Sequence, residues 1–136
     1  MSSDRYPITE WFVVFQDAKT IWWHKFLRPG FRHCLMFGFD PSNDHWILIE
    51  PTFTGAYVGC VPRETLDCFI SGARESGCPI IVFRPRQDRK TIIPRPLLTC
   101  VTAIAHILNA SWWVFTPSQL YRYLLANGGK PAFKSA

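Results

Sequence analysis

The sequence has no Cys-x-x-Cys pair, no apolar run near the ~20 residues a bilayer helix needs, and no internal repeat or low-complexity block. Each absence removes a class. A zinc ribbon or a thioredoxin-type motif has nothing to build on, and no membrane span is expected. No metal-ligand spacing joins His24, His33 and His45 to the cysteines, so no metal and no cofactor is expected. With no linker to divide it, the chain of 136 residues reads as one domain, 1–136, large enough for one real core. Charged residues are sparse at 18%, and the net charge of +5 is a mild lean. The basic residues are scattered except for Arg84, Arg86, Arg89 and Lys90, which read as a solvated loop. A basic bunch alone is a weak nucleic-acid footprint, so no nucleic-acid partner is expected. The five cysteines, at 34, 60, 68, 78 and 100, are odd in number. No cleavable signal opens the chain, and the expected setting is a reducing cytoplasm with free thiols.

Aromatics are abundant. They make up 15% of the chain, with six tryptophans, more than a small core needs. The surplus suggests a groove, a protein-partner surface or a subunit contact, so oligomerisation through an aromatic surface stays open. Trp22 and Trp23, on a long connection, are candidates to line a substrate groove, with Gln16 beside them. Trp112 and Trp113 join two helical segments and read as a corner packed into the core.

The apolar run 11–15 predicts an internal strand. Strands over 31–39 and 46–50, joined by Asp40-Pro41-Ser42-Asn43-Asp44, predict a hairpin, because that linker is all turn chemistry. A short strand is expected at 57–61, an amphipathic helix over 63–76, a strand over 79–83 and a helix over 97–108. Thr116-Pro117-Ser118-Gln119 has the cap, first-turn proline and third-position glutamine of a helix start, opening a helix over 118–126. Residues 130–136 read as a loose basic tail. The expected fold class is α+β: a mainly antiparallel sheet with helices packed largely on one face.

Two residues carry the chemistry. His33 lies early in one strand and Cys100 at the front of a helix, and a helix N-terminus and a neighbouring imidazole both favour a thiolate. Strand alternation groups His33 with Phe31, Leu35 and Phe37, and Cys100 faces its helix's buried stripe, so both aim at the sheet–helix interface. Each also has a plain structural reading, as a core histidine and a packed thiol. Hairpin register sets Glu50 or Thr52 across from His33, and either could orient its ring. Cys34 alternates to the other strand face and so reads as a poor nucleophile for that histidine. Cys60, Cys68 and Cys78 read as structural thiols, and His106 as exposed.

The segment His33-Cys34-Leu35-Met36-Phe37-Gly38-Phe39, followed by His45-Trp46-Ile47-Leu48-Ile49-Glu50-Pro51, resembles the His-strand, turn and orienter-strand unit of papain-like thiol hydrolases. The cysteine helix follows the hairpin here, as in circularly permuted NlpC/P60-like members, and the helix opening Thr-Pro-Ser-Gln-Leu-Tyr resembles small phage-encoded proteins of this group. The resemblance covers roughly residues 31–52 and 97–126. It implies a permuted papain-like fold and a hydrolase or acyltransferase of the cysteine-peptidase or amidase kind. The nucleophile would be Cys100, the base His33 and the orienter Glu50, with a peptide, amide or ester as substrate. The chain departs from the pattern in having no glutamine just before Cys100, so an oxyanion would rely on backbone N–H groups at the helix start. The alternative reading is a non-catalytic structural or interaction protein on the same scaffold, such as a phage virion or assembly component. Its location would then be the virion.

Overall fold

The computed structural model describes residues 8–17, 29–52, 55–85, 99–111 and 113–133. The elements run β1 (Trp11–Gln16), β2 (His33–Asp40), β3 (His45–Thr52), β4 (Gly55–Val61), α1 (Arg63–Glu75), β5 (Ile80–Phe83), α2 (Cys100–Ile107), α3 (Pro117–Ala126) and β6 (Lys130–Pro131). The class is α+β, and the six strands form one antiparallel sheet in the order β4-β3-β2-β1-β5-β6. The apolar run at 11–15 is internal, flanked by β2 and β5, and Val13, Val14 and Phe15 are fully buried. Residues covered on both faces have no polar alternation, which is why this strand reads as an unbroken apolar stretch.

The hairpin at β2–β3 is closed by its own turn residues. Asp40 pairs with His45 across the strands, and its carboxylate accepts from the Ser42 amide and the Asn43 side chain, each at 2.9 Å. Those bonds hold the carboxyl below its ordinary range, the Asn43 side chain contributing most. Asp44 then takes a left-handed conformation at φ 52°, tolerated by aspartate in tight turns.

Alternation along the strands divides the interior into two cores. Val13, Phe15, Cys34, Met36, Ile81 and Phe83 pack with Val101, Ile104, Ala105 and Leu108 of α2 and with Leu120 and Leu124 of α3. On the opposite face Val14, Leu35, Phe37 and Ile80 pack with Leu66 and Ala73 of α1. So α2 and α3 share one face, while α1 covers the other.

Both late helices begin with reciprocal caps. The Thr99 side chain accepts from the Thr102 amide at 3.2 Å, and the Thr102 hydroxyl accepts from the Thr99 amide at 2.7 Å. Thr116 and Gln119 repeat the arrangement for α3, with Pro117 in the first turn.

The expected loose tail is partly structured. Lys130 and Pro131 add β6 to β5, the Ala132 amide donates to the Ile80 carbonyl at 2.8 Å, and Phe133 packs against the α1-side core with the Arg74 guanidinium 5.0 Å from its ring centre. Gly129 makes the return possible: a Cβ there would meet the Leu124 carbonyl oxygen at 2.6 Å. Residues 134–136 lie outside the described residues. Trp113 is also not packed away as a corner; it is 41% exposed and leans edge-on against Tyr123. Among the described residues no helix is long and apolar enough to cross a membrane.

Candidate functional site

Cys100 is the first residue of α2, directly after the Thr99 cap. The first bond of the helix runs from the Ala103 amide to the Thr99 carbonyl, so the amides of Cys100 and Val101 precede the intrahelical ladder. A thiolate there has the positive end of the helix behind it. The helix itself packs on β2 and β3 and carries the sulfur to the start of β2.

His33 is the first residue of that strand and lies opposite Gln16 of β1. Its Nε2 meets Glu50 Oε1 at 3.3 Å, with both side chains partly buried. Cys100 is the other group that acts on the ring, and it is the largest cause of the ring's raised affinity for a proton. The three residues proposed from the sequence therefore converge. Of the two candidate orienters, Glu50 holds the imidazole, while the Thr52 hydroxyl donates to the Gly55 carbonyl at 2.8 Å. The paired register ends at Met36 opposite Ile49. Continued along the strands it sets Glu50 opposite Leu35, so Glu50 reaches His33 as a diagonal neighbour on the same face.

Alternation from Phe31 is not what joins His33 to Cys100. Phe31 lies outside the strand and packs with Phe15 and Tyr121, on the α3 side. Leu35 and Phe37 face α1 instead. The chain bends at Arg32, so the pattern restarts at His33. As the terminal strand residue, His33 sits at the margin of the sheet, where its ring bonds Glu50 of β3 and the start of a helix on the opposite face.

The sequence sets Cys34 aside as a poor nucleophile for His33 and does not place it beside Cys100. Its alternation away from Leu35 and Phe37 is correct, but α2 covers that other face. Cys34 is fully buried in the cluster against which Cys100 packs. The Cys34 side chain is the largest cause that lowers the Cys100 thiol to about 4. Burial opposes it, and His33 and the Cys34 backbone amide assist. The imidazole of His33 is pushed up, first by its bond to Cys100 and then by that residue's charge and by Glu50, against the cost of burial. Cys34 moves the opposite way: burial drives its thiol well above the ordinary range, so it stays protonated and acts as a donor. The opposite shifts of the two groups favour a thiolate–imidazolium pair, with the Glu50 side chain on the ring's Nε2.

Trp22 and Trp23 lie outside the described residues, as do Arg86, Arg89 and Lys90. Of the cysteines read as structural thiols, Cys60 and Cys68 are exposed and Cys78 is half-buried; His106 is exposed. Among the described residues no group of three or more His, Cys, Asp or Glu side chains is arranged to hold a metal. Comparison with protein-family models, with curated proteins and with solved structures gives no match.

Proposed function

We propose that the chain is a thiol hydrolase or acyltransferase that works through an acyl-enzyme on Cys100. The observation that carries this reading is the convergence of His33, Cys100 and Glu50 from three different elements, with the sulfur at a helix N-terminus. The thiolate attacks an amide or ester carbonyl. The amides that open α2 are the donors nearest the developing oxyanion. His33, already protonated, passes its proton to the leaving nitrogen or oxygen, and Glu50 keeps the ring in place and its charge compensated. The neutral imidazole then takes a proton from water or another acceptor, which releases the acyl group and restores the ion pair.

The finer reading is the permuted papain-like order. Its support is the packing of the cysteine helix on the histidine hairpin, with the hairpin first in the chain. A non-catalytic interaction protein is the second reading. It is favoured by β4, an edge strand without charged residues that exposes Tyr57 and Val58 at 57% and 63%.

An activated ester such as p-nitrophenyl acetate separates the two. The hydrolase leaves an acyl group on Cys100, visible by intact mass and absent in Cys100→Ala. Uniform slow modification of all five cysteines, with no privileged Cys100, overturns the enzyme and leaves the interaction protein.

A further inference from the structure

Cys34 is an unusual neighbour for a nucleophilic sulfur, because it is itself a sulfur. The two side chains belong to one apolar cluster on the α2 face of the sheet, Cys34 within it and Cys100 packed against it, and Cys34 is the largest cause of the lowered Cys100 thiol. Their exposures differ. Cys100 is partly open to solvent, whereas Cys34 is fully buried beneath it. The other cysteines stand elsewhere: Cys60 on β4, Cys68 on α1 across the sheet, and Cys78 just before β5. An oxidant in solution therefore meets Cys100 first, and an oxidised Cys100 has Cys34 as its immediate thiol neighbour.

We infer that Cys100 and Cys34 form a reversible disulfide in the presence of a peroxide, with Cys100 as the oxidised thiol and Cys34 as the resolving one. The Cys100 thiolate attacks one oxygen of hydrogen peroxide. A sulfur–oxygen bond forms, the peroxide bond breaks, and the departing hydroxide takes the His33 proton to leave as water. The product is a sulfenic acid. Cys34 sulfur then attacks the Cys100 sulfur, the sulfur–oxygen bond breaks, and the hydroxyl leaves as water with the Cys34 proton. Two thiols are oxidised by one peroxide, which is reduced to two waters. Within this shared cluster, closing the pair brings the two sulfurs to the roughly 2.05 Å of a disulfide.

The consequence for catalysis rests on the acyl-enzyme reading: with its sulfur bonded to Cys34 the nucleophile is masked, and reduction restores it. The pairing also protects the site. A sulfenic acid without a neighbouring thiol proceeds to sulfinic acid, which ordinary thiols do not reverse.

The test uses the full chain and hydrogen peroxide, followed by alkylation, digestion without reduction and peptide mass mapping. The wild-type protein should yield one linked pair, the peptide of Cys34 joined to that of Cys100, having lost two hydrogens. Dithiothreitol should separate the pair and return an alkylatable Cys100. In Cys34→Ser, which keeps a hydrogen-bond donor of nearly the same size, Cys100 should instead reach the sulfinic acid and no longer recover. The inference is overturned if wild-type Cys100 becomes sulfinic acid without the link, or if it pairs with Cys60, Cys68 or Cys78. The wild-type map alone decides this, even if the serine variant fails to fold. A linked pair in a protein that never acquires an acyl group from p-nitrophenyl acetate keeps the disulfide and removes the hydrolase.

Discussion

His33 has two partners, and each raises its affinity for a proton. Cys100 contributes most and Glu50 adds to it, so the ring titrates above the ordinary imidazole value of 6.5 although burial opposes this. Cys100 titrates at about 4. The reactive form needs the sulfur ionised and the ring protonated, so it exists between those two steps, which belong to the pair. Acylation (kcat/KM for an ester or amide) should rise as pH passes through about 4 and fall on the alkaline side, above 6.5. Glu50→Gln removes the negative charge but keeps an acceptor. It should move the alkaline limb to lower pH and leave the acid limb nearly in place. An alkaline limb that stays put in the variant would show that Glu50 does not act on the ring. Cys34→Ala removes the largest cause of the low thiol value by deleting only the sulfur, so the acid limb of Cys100 alkylation should move to higher pH. If iodoacetamide rates against pH superimpose on wild type, Cys34 is only packing. The opposite limbs moved by the two variants give each a signature that loss of structure does not produce.

At the level of elements, the caps decide how firmly the sulfur is held. α2 has only eight residues, and its start is fixed by the reciprocal Thr99–Thr102 bonds. Thr99→Ala removes the side chain that accepts from the Thr102 amide. It should cost about 1 kcal/mol of stability in urea denaturation, and it should broaden the distribution of Cys100 alkylation rates because the first turn frays. A full-strength cap effect with unchanged alkylation would mean that Cys34 and His33, not the helix, hold the sulfur. The α3 cap was legible in the sequence because Thr116, Pro117 and Gln119 each have a local reason to be where they are. The hairpin was legible for the same kind of reason: Asp40 and Asn43 form their turn from neighbouring groups. Local chemistry also set Cys100 in a first helical turn. What the residues did not disclose was which face each helix covers. β1 and β2 are apolar on both sides, with Val13 beside Val14 and Cys34, Leu35, Met36 and Phe37 in succession, and such strands carry no alternation to read. That pattern does signal cover on both faces. Taken so, it would have directed attention to Cys34 as a neighbour of whichever helix lay opposite Leu35. The docking of residues 130–133 depends on a close approach of Gly129 to Leu124, which sequence proximity alone does not announce.

For the molecule as a whole, the sheet separates the core that holds Cys34 and receives Cys100 from the core packed under α1. Ile104 of α2 is fully buried in the first, among Cys34, Met36 and Val101, with Cys100 packed against the same cluster. Leu66 of α1 is buried in the second, with Leu35 and Phe37. Truncating either to alanine leaves a cavity and should destabilise the fold by about 2–5 kcal/mol. The stability loss therefore does not distinguish them, and the thiol does. Ile104→Ala removes packing one turn beyond Cys100, so α2 can shift against β2 and weaken the contacts among Cys100, Cys34 and His33. Its acid limb of alkylation should move to higher pH. Leu66→Ala leaves the Cys100–Cys34 pairing on the far side of an intact sheet, and because Cys34 is the largest cause of the low thiol value, the variant's acid limb should match wild type below the onset of unfolding. Urea titration with iodoacetamide rates on the same samples gives both quantities. Equal shifts in the two variants would show that the sheet transmits strain between the cores, and the low Cys100 value could no longer be assigned to packing on the α2 face alone.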